Sequence, residues 1–165
     1  MRGKVTLPAC LEPGARIGIV APAGPFDNET FGRGVCILEK MGFEVVVPPE
    51  LLDARGYLAG SDERRARFVN QLFADKSIDA IVCARGGYGS VRILPLLDYE
   101  AIAQNPKVFV GFSDITVLLN VLINRCGIAT FHGPVVTSLA DAPDATRIAL
   151  VKAISSDTRI EVRLP

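Results

Sequence analysis

Lys107-Val108-Phe109-Val110-Gly111-Phe112-Ser113-Asp114-Ile115-Thr116-Val117-Leu118-Leu119 opens as an apolar run of strand type and turns through Gly-Phe-Ser-Asp. It then carries apolar residues at Ile115, Leu118, Leu119 and Leu122, the spacing of one helix face. A serine on so tight a strand-to-helix turn is pushed out at the carboxyl edge of a sheet, beside the partly positive amide end of the next helix. Nucleophilic hydrolases present their serine in that way. Ser and Asp at a helix start are also commonly N-caps, so the stretch alone leaves two roles open for Ser113 and Asp114.

The flanking chain repeats the strand-then-helix unit. Buried strands are predicted over residues 16–21, 44–47 and 78–84, the second ended by Pro48-Pro49. Helices are predicted over 28–41, with Gly42 as the stop, and over 62–74, where Ser61 or Asp62 caps and Ala66, Val69, Leu72 and Phe73 form the stripe. Shorter helical pieces follow at 90–94 and 99–103. The helix after Ser113 is expected to end at Gly127. A short strand is predicted over 128–131, broken by Gly133-Pro134, then a helix over 143–154 and the beginning of a strand over 158–164. Residues 1–15 read as an irregular lead-in. Such alternation specifies an α/β fold: a three-layer, flavodoxin-like or Rossmann-like parallel sheet with helices on both faces. Ligands in these sheets collect outside the carboxyl ends of the strands. Three turns are therefore expected to cluster, at residues 21–25, 85–90 and 111–116.

The totals narrow the function. A chain of 165 residues is one domain by length, and 18 Lys and Arg balance 18 Asp and Glu. Zero formal charge makes no electrostatic case for nucleic acid or an anionic membrane as partner. No apolar run approaches the roughly 20 residues of a membrane span, and no signal-peptide core forms near Met1, so a cytoplasmic location is expected. Cys10, Cys36, Cys83 and Cys126 form no Cys-x-x-Cys pair or metal spacing. Three of them lie in apolar segments, so buried reduced thiols are expected.

Arg85-Gly86-Gly87-Tyr88-Gly89-Ser90 is the second motif. Glycines between a strand and a helix leave amides free to face an anion. The turn lacks the Gly-x-Gly-x-x-Gly spacing of dinucleotide folds and the Gly-Lys-Ser/Thr of a phosphate loop. It is either a plain tight turn or one side of an oxyanion hole facing Ser113. Gly111-Phe112-Ser113-Asp114-Ile115 keeps the first glycine of the Gly-x-Ser-x-Gly elbow and loses the last. A serine nucleophile needs a base. His132, the only histidine, is placed one strand later, where a structural or ligand-contacting role competes with that of base. Arg85 or Arg92 is a candidate partner for a substrate carboxylate, with surface solvation the competing fate.

Ala21-Pro22-Ala23, Arg85-Gly86-Gly87-Tyr88-Gly89, Gly111-Phe112-Ser113-Asp114-Ile115-Thr116 and Phe131-His132-Gly133-Pro134, in this order and spacing, resemble the LD-carboxypeptidases. These are the serine peptidases that include muramoyltetrapeptide carboxypeptidase. The resemblance covers nearly the whole chain and corresponds to the family's N-terminal domain. It implies hydrolysis of an L,D-amide bond, typically releasing terminal D-alanine from murein tetrapeptide in cell-wall recycling. It implies Ser113 as nucleophile, the amides of Asp114 and Gly87 as oxyanion hole, and no metal or organic cofactor. Arg85, Gly86 and His132 are the candidate substrate contacts. A related branch destroys a peptide-nucleotide antibiotic, and the Arg-Gly-Gly-Tyr-Gly turn is closer to the murein branch.

In that family the catalytic His and Glu come from a C-terminal domain, and His132 does not match that His. Residues 1–155 are thus expected to be the nucleophile-bearing domain and 156–165 the start of a linker. The chain alone is expected to be inactive, and apolar surface meant for the second domain is expected to favour a homodimer. The alternative is a non-catalytic flavodoxin-like module that binds a phosphate or nucleotide.

Overall fold

Strands β3 (Ala80–Cys83) and β4 (Val108–Gly111) are buried along their whole length, which requires cover on both faces. The computed structural model, which describes residues 5–52 and 54–156, supplies that cover. With β1 (Arg16–Val20), β2 (Glu44–Val46) and β5 (Phe131–His132) they form a parallel sheet of order β2-β1-β3-β4-β5. In register, Ile17, Gly18, Ile19 and Val20 of β1 stand opposite Ala80, Ile81, Val82 and Cys83 of β3.

Helices α1 (Asn28–Lys40), α6 (Val136–Leu139) and α7 (Asp144–Ser155) pack on one face, where Phe31, Leu38, Val136, Leu139 and Leu150 meet Ile17, Ile19, Val82 and Val110. The other face is covered by α2 (Asp62–Ala74), α3 (Ser90–Ile93), α4 (Tyr99–Gln104) and α5 (Thr116–Val121). There Phe68, Leu72, Phe73, Ile93, Ile102 and Leu118 meet Val20, Ile81 and Phe109. The Phe73 and Phe109 rings stack at 5.8 Å between centroids. This is the three-layer α/β architecture expected from the alternation, with the flavodoxin-type strand order.

Local chemistry sets the element ends. Asp27 caps α1 by accepting from Thr30 N at 2.7 Å, and Ser61 caps α2 by accepting from Arg64 N at 3.3 Å. Lys40 and Met41 close α1, and Gly42 then turns at φ +94°.

Several expectations shift. Residues 128–131 do not make one strand: Ile128 bridges to Thr6 of the lead-in, and pairing with β4 is confined to Phe131 and His132. Helix α6 is absent from the sequence reading because Gly133-Pro134 and the β-branched Val135, Val136 and Thr137 argue against a helix there. The helix after Ser113 is composite: a 3₁₀ turn (Ser113–Ile115), α5, and a wider π turn (Leu122–Cys126) that ends at Gly127 with φ +65°.

Only Cys83 is buried; Cys126 is half-buried and Cys10 and Cys36 are exposed. Cys36 faces outward because helical periodicity gives the inner face of α1 to Phe31, Gly34 and Leu38. Among the described residues no helix is long and apolar enough to cross a membrane. The strand expected over 158–164, and the linker expected over 156–165 save Ser156, lie outside the described residues.

Candidate active site at the carboxyl edge of the sheet

Strands β1, β3 and β4 end side by side, and their following turns meet. Gly24 N donates to Gly86 O at 3.1 Å, joining the first turn to the glycine turn, and Arg85 Nη1 donates to Pro25 O at 2.6 Å. The glycine turn in turn abuts the serine turn: a Cβ placed on Gly86 would stand 3.2 Å from Ser113 Oγ. The three turns expected to cluster therefore do so.

Ser113 has φ +63°, and among the described residues no other non-glycine residue has positive φ. A left-handed serine at the head of a helix is not an N-cap, which needs extended backbone. The extended residue at that boundary is Phe112, and no side-chain cap bond forms. Ser113 is exposed, and its hydroxyl makes no hydrogen bond among the described residues. The lost last glycine of the elbow has a packing counterpart: a Cβ on Gly111 would lie 2.5 Å from Ile115 Cγ2, so the small residue stays at 111 while buried Ile115 fills the space beside it.

Asp114 caps, but it caps a neighbouring helix. Its carboxylate accepts from Ser90 N, the first residue of α3, at 2.9 Å, and its carbonyl accepts from Ser90 Oγ at 2.7 Å. The Asp114 amide belongs to the first turn of the 3₁₀ segment, whose leading amides have no partner within the helix. Gly87, at φ +120°, adopts backbone geometry that suits glycine alone, and its amide makes no turn or loop bond to another backbone group among the described residues.

Ser113, Gly86, Gly87 and Arg85 line one crevice of about 370 Å³ with Tyr88 and Phe112, and the wall opposite comes from Val135, Thr137 and Ser138 at the start of α6. Thr137 is tied down through both its amide and its hydroxyl to Ala84 O, each at 3.1 Å. Sequence reading missed this wall because it missed α6. His132 stands apart. Its ring is 6.2 Å from that of Phe112, and it lines a second cavity with Thr146, Ala149, Leu150 and Ala153. Arg92 is engaged by Asp62, with Nε at 3.1 and 2.9 Å from the two carboxylate oxygens.

The site's support is a buried cation. Arg65 is 1% exposed and donates to Pro22 O, to Gly89 O at 2.9 Å and to Asp62, thus bracing two of the three turns. Hydrogen bonding from Arg92, then from Arg65, holds the Asp62 carboxyl below the ordinary 3.8. Burial pushes the Cys83 thiol well up, so the one cysteine near the site stays a protonated, inert filler of the core. Among the described residues no three His, Cys, Asp or Glu side chains are grouped to hold a metal ion.

Residues 17–133 match the family model described as the LD-carboxypeptidase N-terminal domain. A putative carboxypeptidase of Streptomyces coelicolor is 46% identical over 136 residues, 80% of this chain and 44% of that protein. A probable murein peptide carboxypeptidase of Bacillus subtilis is 36% identical over 141 residues, 84% of this chain and 44% of that protein. Among solved structures, the microcin C7 self-immunity protein MccF, a protein of Escherichia coli, superposes with a TM-score of 0.91 at 32% identity, over 97% of this chain and 50% of that one. The chain spans about half the length of the curated relatives it matches. With the family model covering most of the chain and its glycine and serine turns meeting at one edge of a flavodoxin-type sheet, this protein belongs to the LD-carboxypeptidase family, of which it carries the N-terminal domain.

Proposed function

We propose that Ser113 is the nucleophile of an LD-carboxypeptidase. The protein then removes a terminal D-alanine from murein tetrapeptide in the cytoplasm, during cell-wall recycling. The observation that carries this reading is the exposed Ser113 hydroxyl, held at φ +63° against the backbone of Gly86 in an open crevice. In the reaction the Ser113 oxygen attacks the scissile carbonyl carbon, and its proton passes to a base. The tetrahedral oxyanion is received by the amides of Gly87 and Asp114, each worth about 3 kcal/mol when well placed. The base returns that proton to the scissile nitrogen, and collapse expels D-alanine as the free amine and leaves an acyl-enzyme. Water, giving its proton to the same base, hydrolyses the ester to restore the serine. Arg85, which lines the crevice and spends Nη1 on Pro25 O, offers its remaining guanidinium donors to the carboxylate of the leaving residue.

The base is not His132, which opens on the neighbouring cavity. It comes instead from a second domain, and residues 1–155 are the half that carries the nucleophile and oxyanion donors. Alone this half turns over slowly or not at all, because a serine without its base keeps only binding and oxyanion contributions. The apolar surface such a domain would cover favours pairing of two copies.

A second reading comes from the likeness to MccF. The crevice then takes a peptide joined to a nucleotide. Measuring D-alanine release from murein tetrapeptide and cleavage of a peptidyl nucleotide by the full-length protein, side by side, separates the two. Ser113→Ala abolishes whichever activity is present. Retained turnover in that variant removes the nucleophile assignment, whereas absence of both activities in the parent, with nucleotide binding by titration, leaves the non-catalytic phosphate- or nucleotide-binding module.

A further inference from the structure

Ser90 and the Asp114 side chain take no part in the chemistry proposed above, yet they are joined twice. Ser90 N donates to the Asp114 carboxylate at 2.9 Å, and Ser90 Oγ donates to the Asp114 carbonyl at 2.7 Å. Ser90 closes the glycine turn, three residues after Gly87, and is wholly buried. Asp114 follows Ser113 and carries the second amide of the oxyanion hole. We infer that this reciprocal pair is a clamp that sets the spacing between the two oxyanion donors, with Ser90 a positioning residue for the reaction. The inference rests on the nucleophile reading of Ser113.

The geometry favours this role over plain helix capping. A cap needs only the carboxylate on Ser90 N. Here the serine hydroxyl returns to the main chain of the capping residue, so Asp114 is fixed at both its side chain and its backbone. Its amide is then held relative to the turn that bears Gly87. The rest of that turn is fixed independently, by Gly24 N on Gly86 O and by Arg65 on Gly89 O. Releasing Ser90 leaves the glycine turn anchored and frees only its relation to the serine turn. Oxyanion donors act over a few tenths of an ångström, so loosening this relation costs transition-state stabilisation and spares ground-state binding.

The test is steady-state kinetics on the full-length protein with murein tetrapeptide. Ser90→Ala and Asp114→Ala each lower kcat by about tenfold to a hundredfold with KM within about twofold. Asp114→Asn, whose amide oxygen still accepts from Ser90 N, recovers most of the kcat lost in Asp114→Ala. The Ser90→Ala/Asp114→Ala double variant falls little below either single one, because both break the same unit. A kcat unchanged in folded Ser90→Ala, or Asp114→Asn as impaired as Asp114→Ala, overturns the clamp. So does a fall in melting temperature with kcat preserved. If Ser90→Ala does not fold, the comparison of Asn with Ala at half-exposed Asp114 decides. Ser113→Ala runs alongside. If it retains turnover, the nucleophile reading falls and takes the clamp with it. If it is inactive while the Ser90 and Asp114 variants work at full rate, the clamp alone falls.

Discussion

The two ends of the sheet solve opposite problems. At the amino end a cavity of about 460 Å³, larger than the crevice at Ser113, is lined by Glu12, Gly14, Lys76, Asp79 and Lys107. Its buried cation and the Asp79 carboxylate are bound to backbone, and Arg16 beside them is paired with Glu44. Lys107 Nζ donates to Asp75 O and to Ile78 O, Arg16 N donates to Asp79, and Arg16 Nε donates to Glu44 at 2.9 Å. At the carboxyl end the backbone is bent into left-handed geometry at Ser113 and Gly87, both of which line an open crevice. On the nucleophile reading proposed for Ser113, volume does not locate the chemistry; the strained backbone at Ser113 marks it instead, because a fold keeps such a feature only where the surrounding contacts hold it in place.

The largest expected effect lies at the carboxyl end. Gly87→Ala places a Cβ 3.1 Å from both Cα and N of Gly24, at a φ of +120° that alanine rarely adopts. The turn must shift, and with it the amide assigned to the oxyanion. A kcat loss of about a hundredfold is expected, together with roughly 1–3 kcal/mol of stability measured by urea unfolding. Near-native kcat would place the oxyanion elsewhere and erase the contrast between the two ends.

Lys107→Met probes the other end. Burial pulls the Lys107 ammonium below its ordinary pKa, so deleting the charge removes a desolvation cost, but it orphans the carbonyls of Asp75 and Ile78. Orphaned buried acceptors cost about 1–3 kcal/mol each, and the relieved desolvation offsets part of that. A net loss of roughly 1–2 kcal/mol with kcat unchanged is expected from parallel urea melts and rate assays. A fall in kcat would show that the amino end is coupled to the site.

The same contrast explains what the sequence discloses. Strands β1, β3 and β4 are legible because burial on both faces leaves continuous apolar runs, and α2 because Ser61 and the Ala66, Val69, Leu72, Phe73 stripe agree. The clustering of the three turns follows from topology alone. The cap reading of Ser113 fails because sequence records residue type and not φ; the same Ser-Asp pair suits a cap or a strained elbow. Asp114 does cap, but for a helix 24 positions earlier in the chain, a pairing that no local pattern carries. Helix α6 was hidden by its β-branched residues; it forms because Thr137 bonds back to Ala84 O and Val136 packs against Gly34 of α1, tertiary contacts that override propensity. The wall opposite Ser113 was hidden with it.

The smallest effect sharpens the point about strain. Ser113→Ala and Ser113→Gly both delete the hydroxyl of the proposed nucleophile, but only glycine relieves φ +63°. A left-handed non-glycine residue costs about 1 kcal/mol, and glycine returns part of that as greater freedom in the unfolded chain. The Ser113 hydroxyl has no hydrogen bond among the described residues to lose, so alanine is expected to leave stability nearly unchanged. Ser113→Gly is then more stable than Ser113→Ala by roughly 0.5 kcal/mol, read as a shift in urea midpoint at equal slope. That ordering is the signature of a residue held in an unfavourable conformation for the sake of its hydroxyl. The reverse ordering would mean that the turn imposes no strain on position 113, and that the contrast between the two ends lies in the exposed donors alone.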